Sequence, residues 1–296
     1  MKELQELASK LLTDGTVKVV IGYEEGPRGV RPSFITDPKQ AGKLVFDQRC
    51  VQNLASYLNP RRKQVAELGK PAVVVKGCDA RAVAGLIREN QIERGNVVII
   101  AVRCGGVLQS PEVDEELTSE TVSVRCANCD VRDPHLYDYF VQLSHSPLKA
   151  PAEPPVNNTR NEQIAALKKM SHAERWNFWN EHLSRCIRCH ACREACPMCF
   201  CVQCTADRSQ PQWIDSGATP QASRTWQTMR VLHQAGRCVD CLECERVCPE
   251  HIPLGLLARY VADSVDRRFG YKTCDDPAMP APMGVYRTDD DEEFIR

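Results

Sequence analysis

The chain has 296 residues, of which 43% are hydrophobic and 26% charged, and its formal net charge is −1. That is globular composition with room for about two domains. There is no basic excess to hold a phosphate backbone, so nucleic acid is not an expected partner. Nor is there an apolar run of the ~18 residues that would predict a membrane span.

The first residues, MKELQELASKLL, read as an amphipathic helix with Leu4, Leu7 and Leu11 on one face. They lack the continuous apolar stretch of a signal peptide, which points to a cytoplasmic protein. Val17 to Ile21 is a β-branched stretch that reads as a strand, as do Pro71 to Val75 and Asn96 to Val102. Between the last two, Asp79 to Asn90 carries Ala82, Ala84, Leu86 and Ile87 and predicts a short helix. Strand, helix and strand within about 30 residues make a parallel βαβ unit. Apolar strands without alternation predict a sheet covered on both faces. Thr121 to Arg125 reads as a further strand. An α/β domain with a parallel sheet is therefore expected over residues 1–143.

Ser144 to Thr159 holds four prolines, SHSPLKAPAEPPVNNT, and reads as an extended linker spanning 144–160. The sequon Asn157-Asn158-Thr159 is read as a chance match in a cytoplasmic chain. A helix is expected from Asn161 to Leu183, then two cysteine runs separated by a polar loop and a helix around Thr225 to His233. These make a mainly α-helical domain over 161–270. Residues 271–296, which include the acidic run Asp289 to Glu293, form an acidic tail laid over the surface or a partner.

Seventeen cysteines are the outlier of the composition. An odd number in a chain without an export signal argues for thiolate ligands to metal rather than disulfides. Eight of them form two copies of C-x₂-C-x₂-C-x₃-C-P: Cys186, Cys189, Cys192 and Cys196 before Pro197, and Cys238, Cys241, Cys244 and Cys248 before Pro249. This spacing lets three thiolates of one winding loop take three corners of a 4Fe–4S cubane, while the fourth reaches across to the other cluster. One cluster is then assigned to Cys186, Cys189, Cys192 and Cys248, the other to Cys238, Cys241, Cys244 and Cys196. A zinc site would use two C-x₂₋₄-C pairs. The string Cys186 to His190 also matches a c-type haem attachment, but that leaves Cys192 and Cys196 without a role. The helices around the motifs resemble the α-helical dicluster ferredoxin-like domains of heterodisulfide reductase and succinate dehydrogenase small subunits. Cys199, Cys201 and Cys204 lie close by. With Cys50 or Cys274 they form a further metal site, or they are thiols packed as small hydrophobes.

In the N-terminal half, Cys78 and Cys104 each follow a predicted strand, and parallel strands end on one edge of their sheet. The third predicted strand delivers Cys126 and Cys129 in the same way. Four thiols on one crevice suit a third 4Fe–4S cluster, a Cys₄ zinc site, or no shared site. Here VVVKGCDARAVAGLI, VVIIAVRCGGV and RCANCDVRDP resemble the β-subunit family of F420-reducing hydrogenase and F420-dependent formate dehydrogenase over about residues 15 to 140. The resemblance implies a 4Fe–4S cluster at Cys78, Cys104, Cys126 and Cys129, next to an FAD that passes a hydride to the deazaflavin. Members of that family carry a further flavin-binding portion where this chain moves into its linker. Gly22, Gly26, Gly29, Gly105 and Gly106 either form phosphate-cradling turns or simply shape loops. Asp79 is placed to cap a helix, and Arg81 to hold a cluster or flavin phosphate by charge. His190, His233 and His251 lie near cluster cysteines and either tune them or pack.

The expected function is an iron–sulfur electron-transfer subunit of a multisubunit anaerobic oxidoreductase. Its partners would be the catalytic and electron-transfer subunits of a formate dehydrogenase, hydrogenase or heterodisulfide-reductase-like complex. The alternatives are a flavin-dependent reductase working on a soluble carrier, and a non-redox protein with structural clusters or zinc.

Overall fold

The computed structural model describes residues 1–112, 114–127, 129–143, 160–274, 276–286 and 288. The proline-rich linker and the sequon lie outside the described residues, as does most of the acidic end. The N-terminal half is α/β and the C-terminal half helical, as the strand and cysteine patterns indicate.

The sheet has six strands: β1 (Val19–Gly26), β2 (Gly29–Ile35), β3 (Leu44–Val45), β4 (Pro71–Val75), β5 (Val98–Val102) and β6 (Tyr139–Val141). Its order is β2-β1-β4-β5-β6, with β3 paired to β1. β1, β4, β5 and β6 run parallel, in a register that sets Ala72 opposite Val98 and Ala101 opposite Phe140. β2 and β3 run antiparallel to β1. Val98–Val102 is buried along its whole length, so the central strands are covered on both faces. Helix α1 (Lys2–Thr13) buries Leu4, Ala8 and Leu11, and the one-turn helix α2 (Lys63–Ala66) precedes β4. Helix α3 (Gly77–Arg88) makes the crossover from β4 to β5.

Two predicted elements are corrected. Thr121 to Arg125 is not a strand. Val122 makes only an isolated bridge to Leu108, and the chain then enters the helical turn α4 (Val124–Ala127). Alternating Val-Ser-Val suits the strand period, but the Val122 N–H bonds to Thr118 and the Ser123 N–H to Val107, which closes a turn. The further parallel strand is β6. The helix expected from Asn161 to Leu183 is two, α5 (Arg160–Lys169) and α6 (His172–Ser184). The break is a capping box: Ser171 Oγ accepts from the Glu174 N–H at 3.2 Å, and Glu174 accepts from the Ser171 N–H at 2.7 Å.

The remaining helices are α7 (Ala191–Ala195), α8 (Pro220–His233), α9 (Glu243–Arg246) and α10 (Leu254–Phe269). The two halves share one hydrophobic cluster, in which Met198, Phe200, Val239 and Cys241 join the core of the sheet. Gly85 of α3 gives Met198 its place, since a Cβ there would fall 2.8 Å from the Met198 methyl. Asn59 donates to the carbonyls of Pro197 and Cys199, and Arg61 pairs with Glu194 at 2.6 Å. Beyond α10, Tyr271 is buried, and Arg88 of α3 donates to its hydroxyl and to the carbonyls of Cys274 and Asp276. Among the described residues no helix is long and apolar enough to cross a membrane.

Candidate metal centres

Cys78 and Cys104 follow the carboxyl ends of β4 and β5, and α4 with the turn after it brings up Cys126 and Cys129. All four thiols line one cavity, so the convergence argued from strand ends is found although one of the strands is not. Lys76, Arg81, Arg125 and Arg132 line the same cavity together with Asp130 and Asp240, and the first three are each paired with a carboxylate. Backbone N–H groups point at the sulfurs: Gly106 to Cys104, Val131 to Cys129, and Val107 to Cys126 at 3.4 Å. Burial, followed by the neighbouring Cys126, pushes the Cys104 thiol up to about 12, and burial likewise drives Cys78 well above its ordinary value. Thiols in this state ionise when a cation replaces their protons, as metal ligands do.

Beneath this cavity lies a fully buried polar group. Asp79 caps α3 by accepting from the Lys76 N–H at 3.0 Å, and it pairs with the Lys76 ammonium at 3.0 Å. Lys76 also donates to Tyr23 Oη and to the Gln52 carbonyl. Asp79 thus caps the helix not from the N-cap position expected, which Lys76 holds, but from the third helical residue, and the ion pair below it had no signal in the sequence. Arg81 reaches Asp130, next to Cys129, at 2.9 Å.

The glycines considered for a phosphate are occupied otherwise. Gly22 lies in β1 against Leu44, and Gly26 and Gly29 face each other at the end of the β1–β2 hairpin. Gly29, at φ +82°, sits where a Cβ would be 1.9 Å from the Pro111 carbonyl oxygen. Gly106, at φ +131°, packs against Val122 and Cys126.

The two C-terminal cysteine runs wind alike. Arg188 and His190 flank Cys189 with φ of 56° and 60°, and Asp240 and Leu242 flank Cys241 with 57° and 52°. Left-handed backbone at four non-glycine positions costs on the order of 1–2 kcal/mol each. The two loops share this winding, and in the second the N–H groups of Asp240 and Glu243 donate to Cys238 and Cys241, as backbone nests do to iron–sulfur centres. Cys186, Cys189, Cys192 and Cys248 line one cavity, three from the first run and one from the second. On the other side, the buried Arg230 charge acts on thiols of both runs, Cys192 and Cys196 of the first and Cys244 of the second, and Cys241 lies within electrostatic reach of both Cys78 and Cys244. Here α7 packs against α9. Burial raises Cys238 to about 11 and Cys244 to about 12.

The other thiols scatter. Cys50 is packed in the sheet core, Cys274 lies 3.3 Å from the Met279 sulfur, Cys201 is exposed, and Cys199 is half-buried beside Cys196. Among the described residues no three His, Cys, Asp or Glu side chains converge closely enough to hold a single ion. Nor do the three histidines supply hydrogen bonds to the clusters. His190 stacks edge-on against Trp226, His251 is exposed, and His233 ends α8 with its carbonyl facing Arg237. The side-chain amide that reaches an assigned ligand is that of Gln227, 3.4 Å from Cys186 Sγ, while Gln234 donates to the neighbouring Cys199 Sγ at 3.3 Å. Glutamine in a polar helix carries no sequence signal for that role.

The two sites are neighbours. Val239, Asp240 and Cys241 of the second run form one wall of the N-terminal thiol cavity. Arg125, next to Cys126, donates to the Cys241 carbonyl at 3.0 Å and to Glu243 at 2.8 Å.

Residues 181–252 match the family model of the 4Fe–4S dicluster domain. Along 95% of its length the chain is 23% identical to F420-dependent formate dehydrogenase subunit beta of Methanocaldococcus jannaschii, covering 92% of that protein. Along 93% it is 25% identical to F420-dependent formate dehydrogenase 1 subunit beta of Methanococcus maripaludis, covering 91%. The resemblance noted over residues 15 to 140 thus extends over nearly the whole chain. The aligned lengths, 362 and 360 positions, exceed the 296 residues present here, so both relatives carry residues without a counterpart in this chain.

Proposed function

We propose that the chain is the iron–sulfur electron-transfer subunit of a formate dehydrogenase-type complex, with three 4Fe–4S centres in series. Cys78, Cys104, Cys126 and Cys129 hold the first. Cys238, Cys241, Cys244 and Cys196 hold the second, and Cys186, Cys189, Cys192 and Cys248 the third. The observation that carries this reading is the shared wall: the loop bearing Cys241 closes the cavity ringed by the N-terminal thiols. Centres held there are adjacent, and the chain then needs no substrate site of its own to pass electrons.

A 4Fe–4S cluster supplies one-electron transfer, and its potential is set by hydrogen bonds to sulfur, local charge and burial. The residues of this chain provide each of these. Backbone N–H groups reach the thiols, and Arg132 with the ion-paired Lys76, Arg81 and Arg125 sets the local charge around the first centre. Thiols spread around a cavity suit a polynuclear cluster, in which each cysteine binds a separate iron, better than one tetrahedral zinc. The beta-subunit relatives are named for formate dehydrogenases dependent on F420. By likeness to them, the partner is a catalytic formate-oxidising subunit, and the electrons leave for a deazaflavin carrier or another subunit.

Anaerobic purification of the tagged chain tests this directly. About 12 irons with matching sulfide per chain, and a stoichiometric catalytic subunit identified by mass spectrometry, are expected. Zinc in place of a third of the iron would remove the first centre. A lone chain releasing FAD on denaturation and reducing a soluble acceptor would replace the relay by a flavin-dependent reductase.

A further inference from the structure

Helix α8 presents a polar face to the protein interior. Ser223, Gln227 and Arg230, with Gln234 at the helix end, recur at intervals that place them on one side of the helix. Their exposures are 0%, 2%, 5% and 6%. A helix face so deeply buried is ordinarily apolar, because amide and guanidinium groups lose hydration that burial does not return unless they are paired.

The pairing here is with the two cysteine runs. Ser223 Oγ donates to the Cys186 carbonyl at 2.9 Å. Gln227 Nε2 points at Cys186 Sγ and Cys192 Sγ, at 3.4 and 3.8 Å. Arg230 donates to the Cys192 carbonyl at 3.1 Å, and its buried charge is felt at the thiols of Cys199, Cys244, Cys192 and Cys196. Gln234 Nε2 donates to Cys199 Sγ at 3.3 Å, and its carbonyl oxygen lies 3.9 Å from Cys196 Sγ. One helix therefore runs past thiols of both runs, with Gln227 at Cys186 and Cys192, Arg230 one turn further on, and Gln234 beside Cys196 and the neighbouring Cys199. Two atoms of this face, Gln227 Oε1 and Arg230 Nε, are buried without a hydrogen-bond partner.

We infer that this face of α8 sets the reduction potentials of the two C-terminal clusters, with Arg230 as the positive charge they share and Gln227 acting on the Cys186 cluster alone. The inference rests on the ligand reading given above. Reduction adds one electron to a cluster already carrying thiolate charge. A fixed cation and N–H donors stabilise the reduced form more than the oxidised form, so they raise the potential. Because Arg230 is buried against the first run at the Cys192 carbonyl and its charge reaches Cys244 of the second, it acts on both clusters. Gln227 touches only thiols assigned to one.

The test uses the full chain, purified anaerobically, with iron and sulfide analysis and potentiometric titrations read by electron paramagnetic resonance. Arg230→Gln is expected to hold its iron and to lower both C-terminal potentials, while Arg230→Lys, which keeps the charge, recovers most of the shift. Gln227→Leu is expected to lower one potential and leave the other in place. Iron-replete Arg230→Gln with either potential unchanged overturns the inference. If Arg230→Gln loses iron, Gln227→Leu decides: an unshifted potential, or equal shifts at both clusters, overturns it. A wild-type chain without iron at these cysteines would instead overturn the ligand reading itself.

Discussion

Arg125 and Glu243 meet at 2.8 Å with only 6% and 3% of their side chains exposed, and this ion pair ties the helical turn bearing Cys126 to the helix bearing Cys244. Both groups are desolvated, and each has further partners: Arg125 the carbonyls of Val51 and Cys241, Glu243 the guanidinium of Arg246. A buried pair contributes little net stability over an apolar replacement, whereas removing one member leaves the other charge uncompensated.

Glu243→Leu should therefore cost roughly 3–5 kcal/mol, because Arg125 is left buried with carbonyls alone. Arg125→Met should cost less, since Arg246 still pairs with Glu243. The double variant should recover most of the loss. Urea midpoints of the cluster-loaded chains measure this, and strict additivity of the two single losses would contradict it.

Cys248→Ala should remove about four irons and abolish the resonance signal of the cluster held by Cys186, Cys189 and Cys192. The check is internal: the signal lost should be the one whose potential responds to Gln227→Leu. Loss of the other signal would mean that the two runs do not exchange their fourth ligands.

Gly77 sits at the first turn of α3, where a Cβ would fall 1.6 Å from the Val131 carbonyl oxygen, two residues beyond Cys129. Gly77→Ala should push that loop off Cys78, destabilise the chain by about 1–3 kcal/mol or more, and lower the iron content by about four with both C-terminal signals intact. Gly85→Ala meets only the flexible end of Met198 and should be far milder. Iron analysis of the two variants side by side separates a specific clash from a general intolerance of side chains in α3.

Ser171→Ala removes the cap between α5 and α6 and should cost about 1 kcal/mol, read as a lower urea midpoint, with iron content and potentials unchanged. A shift in either potential would show that the hinge also positions the clusters.

What could be read from residues alone were features whose geometry is local. The spacing of Cys186 to Cys196 and of Cys238 to Cys248 constrains one loop each, and ligand reach within a loop depends on few bonds. β4, α3 and β5 followed from apolar runs and helical periodicity over a contiguous segment, and with them the convergence of Cys78 and Cys104. Even the box at Ser171 and Glu174 had its signature three residues apart, overridden by the apparent continuity of a helical pattern.

The tertiary structure decided the rest. Tyr139–Val141 is a short strand that gains its identity from pairing with β5, and Val122 keeps only one bridge because its N–H turns back to the Thr118 carbonyl. The docking of the Cys241 loop on the N-terminal thiols joins residues more than 100 positions apart through Arg125 and Glu243. Gln227, Arg230 and Gln234 have the composition of a solvated helix face, and nothing near them in the chain says otherwise. Their burial beside two sets of thiols is a property of packing, because desolvation and charge act through space and not along the chain.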